Sequence, residues 1–395
     1  MEATIKATPF PSALNWAWAH ELPRNLRISS ATPFSILSHR AKTVGKNACR
    51  GDHGRSMQEQ MVRLDTNLGI SGFGSCAADA SAIQSLVGTD PFHWYRERGE
   101  PGCHPQLGRN TMALWDLAGK LLDRPAYVLM GGAGTRLVPV YDASIYFSDL
   151  MPGYASNYLD RFRAEIDWGL GQGYRCFKVK IGRGMRWMPW ETGYRRDLEV
   201  LHCIRTHAGP GIEIGVDANN GYGVEYTKNF IREAGFEPAW MEEMFQENVG
   251  DCLSIKALMR AKGWKTLLTD GEGQGDPEAF LPLIAARSMD VIQADMRSFG
   301  IELILQVAQW AHAQGLLVAP HNWGSVIGFY MQLHMARAVP NFFRAECDPA
   351  GNGVVHANGY TIANGFATVP DTPGFGLDYP DGIVDGAIIG DPEPA

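Results

Sequence analysis

From residue 138 onward, short apolar, β-branched runs alternate with longer helical patterns, and an ionisable residue closes nearly every run. The runs cover residues 138–146, 176–181, 212–216, 239–242, 266–269, 290–294, 316–319 and 342–345. Eight such runs with helices between them predict a closed parallel (β/α) barrel. The residues that close them are Lys178 and Lys180, then Asp217, Glu242, Glu272, Asp295, His321 and Glu346. From Asp217 onward the steps are 25, 30, 23, 26 and 25 residues, one β/α unit each. One acidic residue after a strand is ordinarily a helix N-cap. A whole series in phase points instead to the end of a barrel where the loops converge on an active site.

The types of residue in the series specify a chemistry. Asp217, Glu242 and Glu272 fall on three adjacent strands. Hard oxygen donors without His or Cys suit one Mg²⁺ ion, which keeps coordination sites for water or substrate oxygens. Glu243 stands beside Glu242, and strand alternation admits only one of them to the interior; Glu242 is preferred. Asp270 and Glu272 share a parity; Glu272 is preferred as ligand, with Asp270 behind it or capping a helix. Lys178-Val179-Lys180 has the period-2 spacing that points both amines inward, where a lysine is costly unless paired. Beside Mg²⁺ and a second ammonium, one of them is expected to have a depressed pKa and to act as a base. His321 directly follows the run 316–319, and Asp295 lies one unit earlier, so the carboxylate is expected to hold the imidazole and raise its basicity. Glu346, if protonated, could donate a hydrogen bond to a developing enolate.

At 395 residues the chain suits a barrel of roughly 250 residues plus a smaller unit. Residues 1–34 read as an irregular N-terminal arm with Trp16 and Trp18 as docking points. Residues 35–137 read as an α+β capping domain: strands near 58–65 and 70–76 around a turn at 66–69, then helices near 79–87, 91–98 and 107–122. The barrel spans 138–349, and the Gly- and Pro-rich segment 350–395 is expected to return to the cap. A net charge of −8 leaves no electrostatic footprint for nucleic acid or an anionic membrane. The seven cysteines form no CxxC pair, and no apolar run approaches 18 residues, so neither a disulfide framework, a zinc site nor a membrane span is suggested. A cytoplasmic homo-oligomer acting on a small molecule is the expectation. Gly72-Phe73-Gly74 lacks a dinucleotide fingerprint. The Arg183, Arg186, Trp187 and Trp190 segment lengthens the loop after Lys180, either lining the pocket or packing.

These residues resemble the enolase superfamily, specifically its mandelate racemase subgroup. The segments that carry the resemblance are Ala113-Leu114-Trp115-Asp116-Leu117-Ala118-Gly119-Lys120, Lys178-x-Lys180, Val216-Asp217-Ala218-Asn219, Trp240-x-Glu242-Glu243, Gly271-Glu272, Asp295, His321 and Glu346. Met244 departs from the family, which usually has Pro there. The resemblance implies an α/β fold, a modified (β/α)8 TIM barrel with an α+β capping domain formed by both chain ends. It implies Mg²⁺ on Asp217, Glu242 and Glu272, with Lys180 and the Asp295–His321 dyad on opposite faces of a carboxylate substrate. Lys178 and Asn219 match positions that contact the substrate carboxylate or hydroxyl, and Glu346 matches the electrophilic carboxyl.

An α-proton beside a carboxylate is barely acidic, so the chemical problem is stabilising an enediolate, which a divalent ion and hydrogen bonds address. With a 3-hydroxyl on the substrate, His321 can protonate the leaving group and yield a 2-keto-3-deoxy acid. Without one, reprotonation on the other face gives racemisation. Dehydration of a sugar acid is favoured, because the resemblance implies it as the commoner activity. Cycloisomerisation is set aside, since the resemblance would then call for Lys at position 321. A non-catalytic barrel would predict broken ligand or base positions, and all are intact. Cap loops such as 50–57 are expected to choose the acid.

Overall fold

The computed structural model describes residues 13–391 except residue 155, so the first twelve residues of the expected arm lie outside the described range. Two sheets organise the chain. The first is antiparallel: β1 (Ile28–Val44), β2 (Gly54–Thr66) and β3 (Ser71–Ser75). Alternate residues of β1, among them Phe34, Ile36, Ser38 and Arg40, are buried, as a half-covered strand requires. β1 begins inside the segment read as irregular arm, because Ile28 and Ala31 already face the core. Trp16 and Trp18 dock as expected, within 5.2–5.8 Å of the Trp115 ring.

Helix Met112–Leu121 crosses the end of this sheet at a separation only glycine allows. A Cβ at Gly72 would stand 2.4 Å from the Ala113 carbonyl oxygen, and one at Gly74 would stand 2.3 Å from the Ala113 nitrogen. The Gly72-Phe73-Gly74 triplet is therefore a packing device. Buried Asp116 on the same helix accepts hydrogen bonds from the backbone N–H groups of Phe73 (2.9 Å) and Phe375 (3.0 Å), tying the helix to β3 and to the C-terminal segment.

The second sheet contains β4 (Leu137–Ile145), β5 (Cys176–Lys180), β6 (Glu213–Asp217), β7 (Trp240–Glu242), β8 (Leu267–Asp270), β9 (Val291–Ile292) and β10 (Leu317–Val318). They lie in sequence order and every pair is parallel. β11 (Ala345–Cys347) is parallel to β4 on its other side, and a separate parallel bridge joins Val318 to Phe342. Helices occupy the connections, the longest being Trp190–Ala208 and Met296–Ala313. The fold is mixed α/β. The C-terminal segment serves both sheets: β12 (Ala350–Gly351) and β15 (Ile388–Ile389) pair with β1, while β13 (Thr361–Ala363) and β14 (Phe366–Thr368) form a hairpin on β4. Among the described residues no helix is long and apolar enough to cross a membrane.

Register is what brings the chemistry together. Lys180 lies opposite Asp217, and Asp217 opposite Glu242, so three consecutive strands end on a row of charged side chains pointing the same way. Lys178 lies opposite Gly215. A Cβ on Gly215 would come within 2.1 Å of the Trp240 ring, so this glycine leaves room for the indole that fills the interior below the row. Gly215→Ala should therefore cost about 1–3 kcal/mol by overpacking. Urea unfolding with an unchanged m-value is the check, and a wild-type midpoint would contradict the packing.

Candidate active site

Lys178 is 1% exposed, and its Nζ lies 2.5 Å from Glu242 Oε1, 2.5 Å from Glu346 Oε1 and 3.2 Å from Asp217 Oδ2. Lys180 Nζ donates to Asp217 Oδ2 and sits 5.2 Å from the centre of the Tyr146 ring. Burial would lower both amine pKa values, but the carboxylates prevail and both are raised. Asp217 holds the Lys180 ammonium here, whereas the depressed base was expected beside Mg²⁺. Burial would raise Asp217, yet the two ammonium groups and the Asn219 N–H hold it well below the usual carboxylate range.

Glu242 is fully interior. Its Oε1 meets Lys178, and its Oε2 accepts from the Trp240 indole N–H at 3.0 Å. Burial, with Asp217 and Glu346 nearby, outweighs Lys178 and lifts its pKa to about 7. Alternation was expected to exclude Glu243, and here the structure corrects the sequence reading. Glu243 has φ of 42°, a left-handed turn at the strand end that swings its carboxylate back into the cavity wall. There it accepts from Asn219 Nδ2 (2.7 Å) and Asn220 Nδ2 (3.1 Å). Burial, then Glu272 and Asp217, push its pKa well up. Asn219, expected to contact substrate, lines the cavity while engaged with Glu243. Of the two candidates at the end of β8, Glu272 just beyond the strand lines the cavity, whereas Asp270 is buried and accepts from the Gly271 N–H at 2.7 Å.

The dyad forms. A backbone bridge aligns Asp295 with His321, and Asp295 Oδ2 stands 2.8 Å from His321 Nδ1. Its Oδ1 caps helix Met296–Ala313 by accepting from Ser298 N–H at 2.8 Å and Arg297 N–H at 3.2 Å. The capping and catalytic readings of Asp295 therefore hold together, one oxygen for each. His321 Nε2 lies 3.2 Å from Glu272 Oε2 and 3.9 Å from Glu346 Oε2. Burial would lower the imidazole, but Glu272, Glu346 and Asp295 raise it to about 10. Glu346, a donor only if protonated, is here pulled toward its charged form. Burial opposes its charge, but Lys178, His321 and the Asn322 N–H (2.7 Å) lower its pKa and keep it ionised.

Lys180, Glu243, Glu272, Asp295 and His321 share one cavity of about 440 Å³. Its lining also includes residues that sequence reasoning did not place individually: Arg50 and His53 from the β1–β2 connection, buried Tyr146 after β4, Arg297, and Trp323. Tyr146 and Trp323 stack at 4.6 Å, His53 meets Tyr146 edge-on at 4.8 Å, and Arg40, bound to Asp348 at 2.7 Å, lies 4.9 Å from the Trp323 ring centre. No periodic signal marks them, because they come from loops of both sheets. The segment after β5 packs and does not line the cavity. Arg183 is buried between Asp149 (2.7 Å) and Asp197 (2.5 Å), and Trp190 stacks on Tyr226 at 5.0 Å.

The donor set fits a hard divalent cation. Four carboxylates, Asp217, Glu242, Glu243 and Glu272, gather at the strand ends, with the Cys49 thiol also lining the cavity. Among the described residues Glu272 Oε2 is buried with only the His321 ion pair at 3.2 Å, and Glu243 is destabilised as an anion by burial and by its acidic neighbours. Among the described residues no three ligating groups converge on one point as they stand, since Lys178 and Lys180 hold Glu242 and Asp217. In the metal-free protein the Asp295–His321 contact has a direct readout. Asp295→Asn keeps the cap oxygen but removes the charge, so the His321 pKa should fall from about 10 by about one unit or more. Imidazole NMR titration measures this, and an unmoved pKa would dissolve the dyad.

Comparison with known proteins agrees with this geometry. The profile of the enolase C-terminal domain-like family matches residues 161–382, more than half of the chain. The D-galactarolactone cycloisomerase of Agrobacterium fabrum is 26% identical over 88% of this chain and 96% of its own. The galacturonate dehydratase of Geobacillus sp., solved with D-galacturonate and 5-keto-4-deoxy-D-galacturonate, superposes with a TM-score of 0.84 at 29% identity, covering 91% of this chain and 96% of its own. A mandelate racemase/muconate lactonizing protein from Geobacillus sp. Y412MC10, solved with magnesium and tartrate, gives a TM-score of 0.84 at 29% identity over 91% and 95%. With its family profile, its strand-end row of carboxylates and its Lys–His pair, this chain belongs to the enolase C-terminal domain-like family, in the mandelate racemase subgroup of the enolase superfamily.

Proposed function

We propose that the protein is a magnesium-dependent lyase that removes the proton α to a carboxylate of a sugar acid and expels the neighbouring hydroxyl, leaving a 2-keto-3-deoxy acid. The observation that carries this reading is one cavity faced by a lysine amine and by a carboxylate-held imidazole, with a row of carboxylates along one wall. Asp217, Glu242 and Glu272 would hold the ion, with Glu243 as an outer partner through Asn219. When bound, Mg²⁺ supplies positive charge beside the substrate carboxylate and competes with Lys180 for Asp217. Lys180 Nζ, once released from Asp217 and as the neutral amine, would take the α-proton from its side of the substrate. His321, charged through its three carboxylate neighbours, carries at Nε2 the proton that a leaving hydroxyl needs. Asp295 fixes the imidazole with its other nitrogen outward. Lys178, oriented by Glu346, and Asn219 hold the substrate carboxylate and hydroxyl.

Lys180 ends β5 and His321 follows β10, five strands further along the sheet order, which favours approach from two faces. The same reading closes the second sheet as a modified (β/α)8 barrel over residues 138–349, through the Val318–Phe342 bridge and the β11–β4 pairing. Residues 35–137 would then form the cap. Two bases can also racemise a 2-hydroxy acid, so the product separates the readings.

Deuterium exchange in D₂O on an acid found by screening for keto acid release tests the two bases. His321→Asn should abolish keto acid while Lys180 still exchanges the α-proton. A racemase would keep one-sided exchange in either single variant, and a lactone isomerised without loss of water would replace dehydration by cycloisomerisation. If neither Lys180→Ala nor His321→Asn alters exchange or turnover, the reading fails. Asp217→Asn and Glu272→Gln should each weaken Mg²⁺ binding by about tenfold or more, measured by calorimetry without substrate. Full activity in EDTA would overturn the metal assignment.

A further inference from the structure

The cavity carries charge of both signs. Carboxylates, Lys180 and the dyad line it. Two exposed guanidinium groups, Arg50 and Arg297, line it as well. Among the described residues neither has a carboxylate within ion-pairing distance. Arg297 donates to the Trp323 carbonyl at 2.9 Å, and Arg50 is tied through its backbone, its N–H donating to Asn47 Oδ1 at 2.7 Å and its carbonyl accepting from the Asn47 N–H at 3.2 Å.

The loop that carries Arg50 is nevertheless fixed. The Trp187 indole N–H donates to the Asn47 carbonyl at 2.6 Å, and Arg186 donates to the Cys49 carbonyl at 2.6 Å. Lys46 lies 5.0 Å from the Trp187 ring centre. The lengthened segment after β5 thus clamps the β1–β2 connection over the cavity and sets where Arg50 stands. His53, on the same loop, adds no charge. Its Nδ1 stands 2.9 Å from the Gly45 carbonyl oxygen, and burial together with Lys180, Arg40 and Arg50 lowers its pKa.

Two exposed guanidinium groups lining the cavity without a direct ion pair, Arg297 acting on Asp295 and Glu59 only at longer range, in a chain of net charge −8, favour an anion on the ligand. Guanidinium matches a carboxylate bidentately, and a site built around that pairing rejects the analogue that lacks the charge. We infer that the cavity takes a dicarboxylic sugar acid, an aldarate, whose second carboxylate is held by Arg50 and Arg297. The inference rests on the proposed reaction only for which end of the diacid reacts.

The test is calorimetric titration of the full chain with Mg²⁺ and matched C6 pairs that differ only in carboxylate against hydroxymethyl at C6: galactarate and galactonate, glucarate and gluconate, mannarate and mannonate. In the wild type the tightest ligand should be an aldarate, binding at least tenfold tighter than its aldonate. In Arg50→Gln and Arg297→Gln that ratio should shrink, and in the double variant the two affinities should converge to within threefold. Circular dichroism controls for folding, which these exposed side chains do not support. An aldonate that binds as tightly as its aldarate, a ratio that survives the double variant, or no binding across the panel would each overturn the inference. Proton exchange on the same ligands keeps the two claims apart. An aldarate that binds in the expected pattern without exchange sinks the enzymatic reading and leaves the arginine assignment. An exchanging aldonate without diacid preference does the reverse.

Discussion

Everything at the strand ends of the second sheet depends on how like charges are kept together out of water. Asp217, Glu242, Glu243 and Glu346 are each less than a tenth exposed, and among the described residues Lys178, Lys180 and His321 stand among them as counter-charges. Isolated buried carboxylates would simply protonate. Here the three cations divide them: Lys178 takes Glu242 and Glu346, Lys180 takes Asp217, and His321 takes Asp295 and Glu272. Glu243 is left with two amide donors and no cation of its own, and its pKa is driven well up. The metal-free site is therefore short of positive charge, which is the electrostatic reason a divalent ion belongs there.

The scaffold that holds this arrangement is apolar below and polar at the sides. Trp240, packed 4.9 Å from Tyr141, fills the interior beneath Lys178 and donates to Glu242, so core packing and charge orientation share one indole. Along the cavity lining, the Arg40–Asp348 pair backs Trp323, which stacks on Tyr146 and meets His53, linking β1 of the first sheet to loops of the second. Glu59 on β2 adds a second link by accepting from the Val326 N–H at 2.8 Å at the start of helix Val326–Ala338. The cavity walls are thus tied to both sheets.

Much of the site was legible because a parallel sheet turns periodicity into position. Residues one β/α unit apart must arrive at the same end of neighbouring strands, so Lys180, Asp217 and Glu242 could be aligned from spacing alone. The inward pair of lysines followed from alternation, and the Asp295–His321 dyad from one further step. Alternation failed at Glu243 because a non-glycine residue with φ of 42° re-aims a side chain, and no composition signal marks such a residue. Which carboxylate each ammonium meets, Asp217 for Lys180 and Glu346 for Lys178, depends on distances of about 3 Å that sequence order does not encode.

The sequence by itself determined the order of strands, the end of the sheet where chemistry gathers, and the acid, base and metal-ligand character of that end, because each follows from local hydrophobic period and residue type. Only the tertiary structure decided what surrounds a ligand there. Arg50 and Arg297 are 247 positions apart, come from different sheets, and line one cavity because Trp187 and Arg186 clamp a loop by its carbonyl oxygens. Side chains donating to a distant backbone leave no pattern in the chain, since the accepting carbonyl is the same at every residue.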